Sequence, residues 1–420
     1  MNPEPASNPD SAAPEDAERR DVTPRSQDPG LLAKLSIASR IYGLKGIIAP
    51  MLWIRDWTDY MRPPPEAPNI VKTYEVRPHL PVRIFFPKSY DQTSPATLPL
   101  LLTIHGGGFC IGHVRDDDDW NRAFADGQDV LVVALNYSKA PGAPFPTAVH
   151  DLEALILAIL ADESLPVDRA AQKRSRTAIL GFSAGGNLAL SVTQLPSIRR
   201  HKLAPAAAVS VYGYLDLSVP CGQKLANRPF KPSLPPPRGK DKDGLANMIP
   251  LFDWSYVPYG QDLRDPLLSP YYASSDSLPP FVGLVAAELD LLGHESWRLA
   301  CRLAREGSAA HGRPAAGYQT PDPKSEDAKS RVCGREEVSA GFGRVEVLDE
   351  TGRPDKRFAF EENWGDGGVK WLLVPDALHG FDNKPLREIM GGEETMKDGE
   401  VKTREMMDRL GKWLKGTVWA

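Results

Sequence analysis

The residues best suited to chemistry lie in a short segment at 181–186, whose sequence is GFSAGG. It follows an apolar, strand-like run at 177–180 and opens a stretch of small residues typical of a helix. A serine on such a strand-to-helix turn points its hydroxyl out of the sheet, and the flanking glycines leave room for the crowded backbone. The segment therefore predicts a nucleophile elbow with Ser183 as the nucleophile.

A second segment, HGGGF at 105–109, ends another strand-like run at 98–104. Consecutive glycines let backbone N–H groups turn inward because no Cβ is in the way. Such donors bind the oxygen that becomes negative during acyl transfer. The simpler alternative is a flexible glycine turn. The occurrence of both segments in one chain favours an oxyanion hole.

A serine hydroxyl is a poor nucleophile at neutral pH, so it needs a histidine base, and that imidazole needs a carboxylate partner. Among the eight histidines, His379 fits the base because it follows a late apolar strand at 369–374. His311 lies in a polar stretch, and His294 is expected to start a helix. The sequence therefore predicts His379 as the base.

The carboxylate is expected after the strand at 281–287, because the chain order in this arrangement is serine, acid, histidine. Glu288 and Asp290 both qualify. We favour Asp290, which is one step further into the loop. Alternatively, either carboxylate only solvates the strand end or caps the helix near Gly293.

Apolar runs and helical stretches alternate along much of the chain, which predicts an α/β protein with a mostly parallel sheet covered on both faces. Strands are expected at 70–76, 82–86, 98–105, 130–137, 176–181, 206–212, 281–287 and 369–374. Helices are expected near 116–127, 147–161, 184–194, 293–306 and 400–415. Such a sheet binds ligands at the carboxyl ends of its strands, where both glycine-containing segments lie.

The N-terminal part of the chain differs from the rest in composition. Residues 1–30 are rich in Pro, Ala, Asp, Glu and Ser, which predicts a disordered tail. Residues 31–65 are expected to form amphipathic cap helices broken at Pro50, packed as a lid on the main domain. Attachment of residues 31–62 to a membrane surface is the alternative.

Residues 66–420 are expected to form the main domain, with two segments that interrupt the alternation. Residues 216–272 contain many prolines and aromatic residues and are expected to be a cap or lid insertion. Residues 307–368 are polar and are expected to be a second insertion. Within it, 344–348 and 356–360 are expected to form an exposed hairpin.

Composition excludes several classes of function. The net charge is −5 with scattered Lys and Arg, which argues against a nucleic acid partner and against an anionic membrane surface. The longest uncharged apolar run, at 46–54, is too short to cross a bilayer, and the first thirty residues have no apolar core, so we expect no stable membrane insertion and a cytoplasmic location. The cysteines lack the spacing of a zinc site or a disulfide framework and are expected to be free thiols: Cys110, Cys221, Cys301 and Cys333.

Taken together, these segments resemble the hormone-sensitive-lipase-like esterases of the α/β-hydrolase superfamily. The resemblance rests on the order of five landmarks: HGGGF at 105–109, NYSKAP at 136–141, GFSAGG at 181–186, AELDLL at 287–292 and HGF at 379–381. The resemblance covers roughly residues 70–415, and motifs in this order are specific.

The resemblance implies an eight-stranded sheet with a helical cap that hydrolyses carboxylic esters without a cofactor or metal. Carried over by position, Ser183, Asp290 and His379 are the catalytic residues. The oxyanion hole would be formed by the N–H groups of three residues: Gly107, Gly108 and Ala184. His105 is similar to a histidine that fixes the oxyanion loop.

This chain departs from the family pattern at three supporting positions. Phe182 stands where the family usually has Asp, and Ser138 and Gly142 replace its usual Arg and Glu. The predicted catalytic residues are unaffected. We expect a serine carboxylesterase acting on small or medium esters, with a homodimer left open. An amide, carbamate or formamide hydrolase and a non-catalytic binding protein are the alternatives.

Overall fold

A nine-stranded sheet forms the centre of the protein in the computed structural model. The structure describes residues 30–169, 175–227, 245–312, 341–349, 351–390 and 393–419. The predicted tail at 1–30, apart from Gly30, and Cys333 lie outside the described residues. In chain order the strands are β1 (Ile70–Lys72), β2 (Val82–Phe85), β3 (Leu100–Ile104), β4 (Leu131–Leu135), β5 (Thr177–Phe182), β6 (Ala207–Val211), β7 (Phe281–Ala287), β8 (Ala359–Trp364) and β9 (Gly367–Val374).

The sheet is mostly parallel. Its order is β1-β2-β4-β3-β5-β6-β7-β9-β8. The strands from β4 to β9 in this order run parallel, whereas β1 and β2 at one edge and β8 at the other are antiparallel to their neighbours. The parallel strands are buried along their whole length, as expected for a sheet covered on both faces.

The prediction of eight strands was wrong by one. The additional strand, β8, lies inside the segment expected to be a polar insertion, where it pairs with β9 at the sheet edge. The expected exposed hairpin is reduced to one isolated bridge between Leu348 and Pro354. An edge strand has one solvated face and can carry polar residues such as Glu361 and Glu362. The sequence pattern therefore did not predict this strand.

Helices cover both faces of the sheet. In chain order the described helices are α1 (Leu31–Met61), α2 (Asp118–Gln128), α3 (Thr147–Ala161), α4 (Ala184–Val192), α5 (Pro196–Arg199), α6 (Cys221–Asn227), α7 (Leu245–Tyr256), α8 (Gly293–Ala310), α9 (Lys384–Met390) and α10 (Glu393–Thr417). One apolar cluster joins α3, α4 and α8 to one face of the sheet, and a second joins α2 and α10 to the other face. Alternate strand residues supply the two clusters, because successive side chains point to opposite faces.

Helix α1 is one continuous helix that includes Pro50, so the expected break at this proline is wrong. The proline removes a backbone hydrogen bond, but Gly46, whose carbonyl loses its partner, is exposed to water. Lys45 and Arg55 are directed at the rest of the protein, where they donate to Ala140 O and to Asp116 Oδ1, at 2.7 Å each. These bonds fix α1 on the main domain.

The opposite side of α1 is exposed and apolar. Its exposed side chains include Leu32, Tyr42, Trp53, Trp57 and Tyr60. Within the described residues, α1 is the helix whose length and composition would allow it to cross a membrane. The uncharged run at 46–54, judged from the sequence to be too short to cross a bilayer, is only part of this longer apolar helix.

A buried ion pair holds α6, in the segment expected to be a cap insertion, on the main domain. Lys224 on α6 pairs with Glu295 on α8, and both side chains are at most 6% exposed. Glu295 also accepts a hydrogen bond from the backbone N–H of Leu215, at 2.6 Å. Burial raises the pKa of Glu295 to about 7, although Lys224 acts to lower it.

We expect Lys224→Met to lower the free energy of unfolding by about 3–5 kcal/mol at pH 8, because it leaves a buried carboxylate unpaired. The folded-state pKa of Glu295 is raised, so this residue favours folding below its ordinary pKa of 4.5 and loses that contribution as the pH rises to about 7. The destabilisation caused by Lys224→Met should therefore be smaller at pH 5 than at pH 8. Urea denaturation at both pH values measures the free energy of unfolding.

The matched control is the double variant Lys224→Met/Glu295→Gln, which removes the charge on both sides. It should recover most of the lost stability. Equal losses for the single and double variants would show that packing of Lys224, rather than its charge, is what matters.

Candidate active site

Ser183 lies on a strained turn between β5 and α4. Its backbone has φ 53° and ψ −118°, a conformation that side-chain-bearing residues rarely adopt. The Ser183 N–H donates to Val211 O on β6 at 2.9 Å, which ties the turn to the neighbouring strand. The arrangement is that of a nucleophile elbow, with Ser183 in the wall of a mainly apolar cavity that contacts both glycine-containing segments.

The structure brings the predicted base and acid to this serine. His379 Nε2 lies 2.9 Å from Ser183 Oγ, and His379 Nδ1 lies 2.7 Å from Asp290 Oδ2. The Asp290 side chain is fully buried, and its other oxygen accepts the N–H of Leu292 at 2.9 Å. The carboxylate thus holds the imidazole with Nδ1 protonated and Nε2 free to accept a proton from the serine.

Glu288, the alternative acid, has a different role. Its Oε2 accepts the backbone N–H of Asp376 at 2.8 Å, in the loop that leads from β9 to His379. The two histidines set aside in the sequence lie at the ends of α8: His294 in its first turn and His311 just after its last residue. Of the candidates, Asp290 and His379 are the residues that these contacts connect to Ser183.

The expected oxyanion donors lie beside Ser183. Gly107 and Gly108 have positive φ values of 113° and 56° and line the same cavity as the serine. Ala184 is the first residue of α4, so its N–H has no acceptor within the helix. The structure thus places the three expected donor residues next to the nucleophile and its cavity.

Several glycines in this region are required by close backbone approach. A Cβ at Gly181 would lie 2.0 Å from Gly185 O, and a Cβ at Gly185 would lie 2.1 Å from Ile104 O. A Cβ at Gly107 would lie 2.1 Å from Ile111 O. The glycine pattern seen in the sequence thus allows the elbow and the oxyanion loop to pack directly on each other.

An aromatic pair and a lysine support the oxyanion loop. His105 stacks on Tyr137 with ring centroids 4.5 Å apart, and His105 Nδ1 lies 2.7 Å from Gly106 O. Burial lowers the pKa of His105 well below its usual value, so the ring is neutral. Lys139 Nζ lies 3.0 Å from Asn136 Oδ1 and 3.8 Å from the Tyr137 ring centroid. Lys139 thus contacts the residues that support the loop, directly after Ser138, the position at which the family usually has Arg.

Sequence reasoning did not identify Tyr212, which follows β6. Its ring lies 4.7 Å from the His379 ring, and its hydroxyl donates to Asp382 Oδ1. Burial raises the pKa of Asp382 to about 6. Tyr212 has an unusual positive φ of 40°, which no sequence pattern revealed. Tyr212 packs against His379 and restricts the movement of the imidazole ring.

The cavity in front of Ser183 has a volume of about 420 Å³. Its walls are mainly apolar. They come from α1 through Ile48 and Leu52 and from α7 through Met248 and Phe252, so both predicted cap segments contribute. Cys110, which directly follows the HGGGF segment, is fully buried in the core.

Comparison with known proteins agrees with this architecture. The sequence model of a family described as alpha/beta hydrolase fold matches residues 101–318. An arylesterase from Saccharolobus solfataricus is 29% identical over 232 residues, which cover 54% of this chain and 68% of the relative. An ethyl acetate hydrolase from Pseudomonas putida is 30% identical over 238 residues, which cover 55% of this chain and 67% of the relative.

Among solved structures, an esterase from Pyrobaculum calidifontis has a TM-score of 0.56 and 18% identity over 93% of this chain and 99% of that chain. At this identity the likeness shows the fold alone. Fold and site together define a hydrolase of the serine type. The chain belongs to the alpha/beta hydrolase fold family, which confirms the resemblance drawn from the motifs.

We expect Asp290→Asn to lower kcat by about 10⁴-fold, because an amide cannot hold the imidazole in the required tautomer. Glu288→Gln keeps an oxygen that accepts the Asp376 N–H, so it should change kcat by less than about tenfold. Steady-state kinetics of both variants on a p-nitrophenyl ester test the assignment. The reverse order of the two losses would make Glu288 the acid.

Gly107→Ala should lower kcat by about 10²–10³-fold, the loss typical of removing an oxyanion donor, because the new Cβ displaces the loop. Gly127→Ala on α2 is the matched control: its Cβ would meet no atom within 4 Å. The control variant should keep wild-type kinetics. Unchanged kcat in Gly107→Ala would exclude this residue from the oxyanion hole.

Proposed function

We propose that the protein is a serine carboxylesterase that hydrolyses small or medium carboxylic esters through an acyl-enzyme intermediate. The observation that carries the proposal is the continuous chain of contacts from Ser183 Oγ to His379 and on to Asp290, at 2.9 and 2.7 Å, in the wall of an apolar cavity. The names of the arylesterase and ethyl acetate hydrolase relatives support ester hydrolysis.

In the first half-reaction, Ser183 Oγ attacks the ester carbonyl carbon while His379 Nε2 accepts the hydroxyl proton. The carbonyl oxygen becomes negative and accepts hydrogen bonds from the N–H groups of Gly107, Gly108 and Ala184. The tetrahedral intermediate then expels the alcohol, which takes the proton from His379. An ester between the acyl group and Ser183 remains.

In the second half-reaction, water replaces the alcohol. His379 removes a proton from the water, whose oxygen attacks the acyl carbon. The new tetrahedral intermediate collapses, Ser183 recovers its proton, and the carboxylic acid leaves. Asp290 stays ionised throughout and stabilises the imidazolium that forms in each half-reaction.

The shape of the cavity supports a limited substrate size. A volume of about 420 Å³ lies in the range of pockets that hold small molecules. This volume favours acyl groups of short or medium length, and the predominantly apolar walls favour alkyl chains. Phe252 narrows the space next to Gly108.

We expect Ser183→Ala to lower kcat on p-nitrophenyl butanoate by about 10⁶-fold, because no other nucleophile replaces the hydroxyl. A fluorophosphonate probe should label the wild-type protein covalently and leave this variant unlabelled. Peptide mass spectrometry of the labelled protein should place the adduct on Ser183. Near-wild-type turnover by the variant, or an adduct on another residue, would contradict the assignment.

A pair of matched substrates separates esterase activity from the amide-directed alternative. The ester and the amide formed from the same acid and similar leaving groups should differ in kcat/KM in favour of the ester. A higher kcat/KM for the amide would assign the same triad to an amidase. No covalent labelling and no turnover of either compound would indicate a non-catalytic binding protein.

A further inference from the structure

One part of the cavity wall is polar and has no role in the steps above. It consists of Arg55 on α1, Asp116 and Asp117 just before α2, and Asn383 just before α9, all of which line the cavity with Ser183. Arg55 Nη1 donates to Asp116 Oδ1 at 2.7 Å. Asn383 Nδ2 lies 3.3 Å from both Asp116 O and Asp117 Oδ1. These contacts hold the four residues together as one polar group.

Three atoms of this polar group are buried without a partner. Within the described parts of the chain, Arg55 Nε, Arg55 Nη2 and Asp117 Oδ2 make no hydrogen bond. Asp117 is only 8% exposed. Leaving such groups unsatisfied typically costs about 1–3 kcal/mol each, and more for charged groups. Buried polar groups without partners call for a structural or functional explanation. These three atoms belong to residues that line the cavity in front of Ser183.

The charges of the polar group favour a neutral ligand. Arg55 is already paired with Asp116, while burial and the neighbouring carboxylates of Asp116, Asp382 and Asp119 raise the pKa of Asp117 well above its usual value. A carboxylate on the ligand would meet these acidic side chains. An ammonium group would meet the guanidinium of Arg55.

A hydroxyl group matches the unpaired atoms. Its oxygen can accept from the N–H groups of Arg55, and its hydrogen can be donated to Asp117. If Asp117 is protonated, the hydroxyl can accept from it instead, so the match does not depend on the protonation state. An alkyl group at the same place would leave all three polar atoms without partners.

We propose that Arg55 and Asp117 form a subsite that binds a hydroxyl group carried by the ester substrate, away from the carbonyl that is attacked. The proposal rests on the esterase function proposed above and names a substrate class: esters of hydroxylated alcohols or of hydroxylated acids. The hydroxyl subsite makes Arg55 and Asp117 determinants of specificity, separate from the groups that perform the chemistry.

The test compares isosteric esters that differ only by a hydroxyl in place of a terminal methyl group. One series varies the alcohol, starting with hydroxyethyl butanoate against propyl butanoate. The other varies the acid. It compares ethyl esters of ω-hydroxy acids with ethyl esters of the straight-chain acids in which a methyl group replaces the hydroxyl. For at least one chain length, the hydroxylated member should have a kcat/KM about tenfold or more above that of its isostere.

Two variants test whether Arg55 and Asp117 cause the preference for the hydroxylated ester. Arg55→Met and Asp117→Leu should each bring the kcat/KM ratio of the preferred pair close to one. Asp117→Asn keeps both an acceptor and a donor and should retain most of the ratio. Titration of the reactive serine with a fluorophosphonate probe counts intact sites, so that a folding defect is not read as a loss of preference.

The outcomes separate the two proposals. Turnover of both members of every pair with a ratio near one in the wild-type protein would overturn the hydroxyl subsite and leave the esterase function standing. A ratio that survives in Arg55→Met or in Asp117→Leu would also overturn it. No turnover of any ester by the wild-type protein would overturn both proposals. The wild-type ratio is decisive even if a variant does not fold.

Discussion

The close approach of backbone segments at the turn after β5 is the constraint on which the rest of the site depends. Ser183 has a backbone conformation that costs on the order of 1–3 kcal/mol, which only surrounding structure can sustain. Here β5 lies between β3 and β6, and Gly185 lies against the backbone of Ile104 at the end of β3. The same contact fixes the start of the HGGGF loop. The nucleophile and the groups that stabilise negative charge therefore share one rigid support.

Much of this arrangement is readable from the sequence because the requirement is local. The glycines around Ser183 and the triplet after His105 have no substitutes where backbones touch, so they leave a recognisable pattern. His379 and Asp290 are recognisable because parallel strands end at one edge of a sheet, and both residues lie in the loops that follow strands of that sheet. The choice between Glu288 and Asp290 depended on loop geometry, which the order of the residues suggested but did not determine.

Other features depend on contacts between distant segments and left no local pattern. Tyr212 packs on His379 from a different strand, and its positive φ is imposed by tertiary structure. Strand β8 has an exposed face and resembles a loop in composition. Helix α1 directs both charged residues, such as Lys45 and Arg55, and apolar residues, such as Ile41, toward the protein, and leaves many other apolar side chains exposed. Periodicity alone therefore gave no guide to which side is buried.

Helix α1 also lies outside the region that the family model matches, which begins at residue 101, and yet it closes the cavity through Ile48, Leu52 and Arg55. Part of the surface that contacts the substrate is therefore encoded outside the stretch that carries Ser183 and the HGGGF segment. Changes in the N-terminal segment can reshape what the pocket accepts without disturbing the strained turn beneath it.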